Sequence, residues 1–90
     1  MERKLNLVVK SAKQYNKAVR KLSELGAQEY ILNGYDESKV GAKDYGVGCF
    51  ITPNKFRFTD GTSSCRAGWS NFHTVKSFIN AVELALGESK

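Results

Sequence analysis

Residues 4 to 26 constrain the fold more than any other stretch of the chain. From Lys4 to Lys10, Leu5, Leu7 and Val9 alternate with Lys4, Asn6, Val8 and Lys10, the two-residue period of a strand with one apolar face. Ser11 then opens a helix. Ser11-Ala12-Lys13-Gln14 fits a capping box, in which the serine oxygen and the Gln14 side chain satisfy orphan backbone groups. Tyr15, Ala18, Val19, Leu22 and Leu25 recur at helical spacing, and Gly26 stands where a left-handed cap is wanted. A strand and a helix that each carry one apolar side bury them together, which calls for a sheet with helix laid against it.

The remaining chain supplies further elements of the same kinds. Gln28 to Asn33 reads as a strand, with Tyr30 and Leu32 on one face and Ile31 on the other. Gly34 to Gly46 holds glycines, charges, Tyr35 and Tyr45 without periodicity, and is expected to be a long mobile loop. Val47 to Thr52, Lys55 to Thr59 and Thr62 to Arg66 read as strands, with Pro53-Asn54 and Asp60-Gly61 as the turns between them. Thr74 caps a last helix whose apolar stripe is Val75, Phe78, Ile79, Val82 and Leu86. Gly87 ends it, leaving residues 87–90 as a frayed tail. The expectation is an α+β fold: a mainly antiparallel sheet with two helices packed on one face, in the order β-α-β-β-β-β-α. The 90 residues suffice for one domain, residues 1–90, and not for two.

The net charge is +5, a bias towards a polyanionic partner. Its distribution is uneven. Arg3, Lys4, Lys10, Lys13, Lys17, Arg20 and Lys21 open the chain against a single acid, Glu2. Lys13, Lys17, Arg20 and Lys21 fall on the polar side of the first helix, where Arg20 and Glu24 are spaced to pair. If both turns are two-residue loops, Thr52 faces Lys55, Ile51 faces Phe56, Phe50 faces Arg57 and Cys49 faces Phe58. On the far side of Lys55–Phe58, Phe58 then faces Ser63, Arg57 faces Ser64, Phe56 faces Cys65 and Lys55 faces Arg66. One sheet face collects the apolar side chains. The other collects Phe50, Thr52, Lys55, Arg57, Thr59, Thr62, Ser64 and Arg66, without an acid. Cations and hydroxyls of that kind bind phosphate, and an exposed ring stacks a base.

Catalytic and metal-binding patterns do not emerge. The one histidine, His73, lies at the cap of the last helix and has no paired-cysteine spacing around it. Cys49 and Cys65 read as reduced thiols, although neighbouring strands would also allow one bridge. No nucleophile elbow surrounds Ser63, Ser64 or Ser70. Asp36, Glu37 and Asp44 do not follow an EF-hand spacing, and Gly41 to Gly48 lacks the Gly-Lys-Ser/Thr of a phosphate loop. The N-terminus carries charges but no apolar secretory core, and no apolar run reaches the ~20 residues of a membrane span. A non-secreted, cytoplasmic protein without cofactor, and not an enzyme, is expected.

Residues 11 to 86, in the order α-β-β-β-β-α, resemble the α-β-β-β-α order of double-stranded RNA-binding domains with one strand added. The basic stretch those domains carry before their last helix is replaced here by Trp-Ser-Asn-Phe-His-Thr-Val-Lys. Residues 47 to 86 resemble the three-strand-plus-helix unit of integrase arm-type and AP2-like DNA-binding domains, which implies DNA reading by the sheet. The leading expectation is a small basic nucleic-acid-binding domain, RNA ahead of DNA. Its contacts would be Phe50, Thr52, Lys55, Arg57 and Arg66 on the sheet and Lys13, Lys17, Arg20 and Lys21 on the helix. The alternative is a protein-binding inhibitor or antitoxin-like module that covers a partner enzyme through Tyr35, Tyr45, Trp69 or an exposed strand edge. A homodimer assembled through the sheet is a third arrangement.

Overall fold

The computed structural model describes residues 2–42, 45–61 and 68–88. Strand β1 (Arg3–Val8) leads into helix α1 (Ala12–Glu24). Strand β2 (Gln28–Ile31) follows, and a short 3-10 turn at Glu37–Lys39 precedes β3 (Gly46–Thr52) and β4 (Lys55–Gly61). Strand β5 (Ser70–Phe72) leads into helix α2 (Val75–Glu88). The five strands form one sheet in the order β2-β4-β3-β1-β5.

The class is α+β, with both helices on one face. The sheet is mixed where a mainly antiparallel one was expected. β3 runs antiparallel to β1 and β4, whereas β2 is parallel to β4 and β5 is parallel to β1. The reason lies in the connections. Among the described residues Pro53-Asn54 is the one hairpin turn; α1 is a crossover, and a crossover returns the chain parallel to the strand it left. The β3–β4 hairpin is inserted between β1 and β2, the two strands that α1 joins.

The local signals at the helix starts hold. Ser11 Oγ accepts from the Gln14 N–H at 3.3 Å. The Gln14 side chain closes the cap one residue earlier than expected, accepting from the Lys10 N–H at 2.9 Å. Gly26 takes φ +95°, and the Ala27 N–H reaches back to the Leu22 carbonyl at 2.9 Å, the six-to-one bond of a Schellman cap. Thr74 caps α2 through the Ser77 N–H at 3.2 Å. Gly87 does not end α2, which continues to Glu88; Glu88 forms an ion pair with Arg3 of β1.

The first hairpin has the expected register, Thr52 with Lys55, Ile51 with Phe56, Phe50 with Arg57 and Cys49 with Phe58. The second turn is absent. Asp60 and Gly61 continue β4 opposite Val47 and Gly46. The strong turn dipeptide is overridden because the Asp60 carboxylate, 7% exposed, is turned into the core. There it accepts from the Tyr15 hydroxyl at 2.7 Å, the Asn33 N–H at 2.8 Å and the Gly34 N–H at 2.9 Å. Burying a carboxylate is costly unless such donors surround it. The other side of β4 is occupied by β2 from Arg57 to Thr59. Thr62 to Arg66, including Arg66 itself, fall outside the described residues. The fifth strand is Ser70–Phe72, a segment without a strand pattern of its own.

The core lies between helices and sheet. Leu5, Leu7, Val47, Cys49, Ile51 and Phe58 from one sheet face meet Tyr15, Ala18, Leu22, Phe78, Ile79, Val82 and Ala85. Close approach matters at Gly46, where a Cβ would run into the Leu7 carbonyl. The Gly34–Gly46 segment contributes to the core as well. Tyr45 is 2% exposed, and its hydroxyl accepts from the Asp36 N–H at 2.7 Å. Tyr45 is therefore a core residue and not a partner contact, and Tyr35 is half-buried between the Tyr15 and Tyr45 rings.

Candidate nucleic-acid interface

Strand alternation turns one set of side chains away from the helices. The register aligns Lys4 of β1, Phe50 of β3, Arg57 of β4 and Gln28 of β2 as one row across the sheet. The next row holds Asn71, Asn6, Gly48 and Thr59. Tyr30, Gly48, Phe50, Arg57, Thr59 and Trp69 line a cleft of about 280 Å³ on this face. That volume is at the small end of ligand pockets, which begin at about 300 Å³.

Each wall of the cleft has a local cause. Gly48 lines the cleft between Phe50 and Thr59. Register slips between Glu29 and Ile31, and this irregularity accompanies exposure of consecutive apolar side chains, Tyr30 at 62% and Ile31 at 51%. The Arg57 guanidinium carbon lies 5.3 Å from the Tyr30 ring centroid, a cation–π stack. Arg57 was expected against Phe50; the parallel β2 supplies a ring on its other side. Trp69 is half-buried immediately before β5, with Gly68 in a left-handed conformation ahead of it.

In the neighbouring row Asn6 and Asn71 are cross-strand partners, and Asn6 Nδ2 donates to Asn71 Oδ1 at 3.1 Å. Asn6 is fully buried, and its own Oδ1 has no hydrogen-bond partner among the described residues. Lys4 is exposed and makes a loose ion pair with Glu2 at 3.8 Å. Thr52 and Lys55 continue the same face toward the Pro53-Asn54 turn.

The expected contact residues therefore divide. Phe50, Thr52, Lys55 and Arg57 share the outer sheet face. Lys13, Lys17, Arg20 and Lys21 lie on α1, which covers the opposite face, so the two groups do not form one surface. Arg20 and Glu24 form no ion pair among the described residues. Tyr30, Lys4 and Trp69 join the sheet cluster in addition to the expected set. Alternation along β1 already turned Lys4 outward. Tyr30 depends on β2 flanking β4 and Trp69 on β5 flanking β1, and no short-range pattern encodes those adjacencies.

Other chemistry is sparse. Among the described residues no three His, Cys, Asp or Glu side chains gather as a metal site. Cys49 is a buried free thiol whose pKa is pushed by burial from 9.0 up to about 12. Burial, reinforced by the Asp60 carboxylate, also raises the Tyr15 hydroxyl above its ordinary range. Among the described residues no helix is long and apolar enough to cross a membrane. Comparison of the chain with protein family models, curated proteins and solved structures returns no match, so neither topological resemblance gains support there.

Proposed function

We propose that this protein binds single-stranded nucleic acid, RNA ahead of DNA, on the outer face of its sheet and performs no chemistry on it. One observation carries the reading: Tyr30, Phe50 and Trp69 line a single cleft with Arg57. Three rings beside a cation suit unpaired bases, because every base offers a π face to a ring or a guanidinium plane. Lys4 and Lys55 flank the cleft as phosphate contacts, and Thr52 and Thr59 offer hydroxyls. Among the described residues the carboxylate beside this face is Glu2, loosely paired with Lys4; Glu29 pairs with Phe58, whose side chain points to the core. A cytoplasmic setting accords with the free Cys49 thiol, since thiols there stay reduced.

The test is fluorescence anisotropy with a labelled single-stranded RNA at about 50 and 200 mM salt. Binding that weakens with salt and falls when Phe50 and Trp69 are replaced by Ala is expected. No binding at the lower salt contradicts the proposal.

A second reading, the protein-binding inhibitor, has its own observation. Edge strand β2 is exposed along its length, with Tyr30 and Ile31 uncovered, and such an edge can pair with a partner's strand. A Tyr30→Ala, Ile31→Lys variant that binds RNA normally while losing a protein partner would favour this alternative.

A further inference from the structure

Lys13, Lys17 and Lys21 recur every four residues along α1 and form one row, each about 6 Å along the axis from the next. Like charges at that spacing repel and destabilise a helix. Carboxylates on the neighbouring turns usually offset the repulsion. Here none does: among the described residues none of Lys13, Lys17, Arg20, Lys21 and Lys76 takes part in an ion pair. The first turn of neither helix contains an acid.

The structure adds a cation from the second helix. Lys17 and Lys21 of α1 and Lys76 of α2 line a groove of about 290 Å³ between the helices, with Val75, Ile79, Asn80 and Glu83. Val75 and Ile79, each 9% exposed, give it an apolar floor. Three lysines against the single Glu83 leave the rim with a net charge of +2. No ring is available for stacking, because Tyr15 and Phe78, the aromatic side chains of the two helices, are buried at 6% and 0%.

From this geometry we infer that the interhelical groove is a second nucleic-acid site, one that takes the sugar–phosphate backbone of a paired strand and reads no base. Sugars would lie over the Val75–Ile79 floor and phosphates against Lys17, Lys21 and Lys76. The anion relieves the lysine row, which has no ion-pair partner among the described residues. Because α1 and α2 cover the sheet face opposite the aromatic cleft, one molecule can hold an unpaired segment on one side and a duplex on the other. The inference rests on the reading of the protein as a nucleic-acid binder, but it uses different residues and a different form of the ligand.

The experiment uses the full chain, an RNA duplex of about 16 base pairs, and a single strand of about four nucleotides, the smallest useful stacking probe. Wild type, a Lys17→Gln, Lys21→Gln, Lys76→Gln variant and a Phe50→Ala, Trp69→Ala variant are compared. Glutamine removes charge while keeping helix propensity near that of lysine. The lysine variant is expected to lose duplex affinity about tenfold or more, and its salt slope to fall by about 2 to 3. It keeps single-strand affinity, and its melting temperature at low salt does not drop. The aromatic variant shows the reverse pattern. Wild type saturated with the short strand still binds duplex with unchanged affinity.

Duplex binding unaltered in the lysine variant overturns the inference, as does displacement of the short strand by duplex. Single-strand binding without duplex binding overturns the inference and leaves the proposed function standing. Duplex binding through the lysines with no single-strand binding does the opposite. No binding of either probe removes both.

Discussion

Arg57 and Lys17 carry the same charge in opposite surroundings. Arg57 projects from β4, stacks on Tyr30 and shares a cleft with Phe50 and Trp69. Lys17 projects from α1 with a lysine one turn to either side and another across the groove on α2. The difference lies in what each can distinguish. A guanidinium among rings can tell an unpaired base from a paired one, whereas lysines over an aliphatic floor see only phosphate density. A net charge of +5 does not separate these roles. The layers do, because helices cover one face of the sheet and leave the other to the rings.

The most drastic way to break this comparison is to remove the joint between the layers. The Asp60 carboxylate holds Tyr15 of α1 and the backbone of Asn33 and Gly34 to β4. Asp60→Ala strands the buried Tyr15 hydroxyl and two part-buried backbone donors and is expected to cost about 3 kcal/mol. Urea unfolding should show a lower midpoint with the slope retained, and both faces should weaken together. An unchanged midpoint would mean the carboxylate is dispensable.

Removing rings acts on one face only. Phe50→Ala with Trp69→Ala should weaken single-strand binding by about a hundredfold, from one to three kcal/mol per stacked base. Stability should change far less, since neither ring belongs to the buried core. Anisotropy titration beside thermal melting separates the two effects.

Tyr15→Phe is a gentler cut at the same joint. It removes one hydroxyl donor to a carboxylate and leaves the ring, so a loss of about 1.5 to 3 kcal/mol in urea unfolding is expected, with affinity for either probe preserved.

An effect confined to alkaline pH concerns the core between the faces. Burial raises the Cys49 thiol from 9.0 to about 12. The unfolded chain therefore releases that proton first as pH rises. The stabilisation is fully present below about 9 and is lost progressively between about 9 and 12. The raised Tyr15 hydroxyl works in the same direction at higher pH. Unfolding free energy measured from pH 8 upward should decline, and Cys49→Ala should make the first part of that decline shallower.

Much of the fold was legible from neighbouring residues. The Ser11 and Thr74 caps, the Gly26 cap and the Pro53-Asn54 register all depend on groups within a few positions of one another. What escaped depends on long-range neighbours. Asp60-Gly61 has the local chemistry of a turn, but a tyrosine 45 positions away holds the aspartate in the strand. β2 and β5 join the sheet in parallel, and no hairpin marks their places. The candidate site divides along the same line. Phe50 and Arg57 followed from one hairpin. Tyr30 and Trp69 needed the edge strands, and the separation of the α1 lysines from the sheet cations needed the layers.

Trp69 is the chain's single tryptophan and a wall of the proposed cleft, so its emission reports on that cleft alone. Titration with single-stranded RNA should quench it saturably, at the same midpoint as anisotropy. The quench should persist in the Lys17→Gln, Lys21→Gln, Lys76→Gln variant and vanish when Phe50 and Arg57 are both replaced by Ala. RNA binding seen by anisotropy while Trp69 emission stays unchanged would contradict the placement of bases on the outer sheet face.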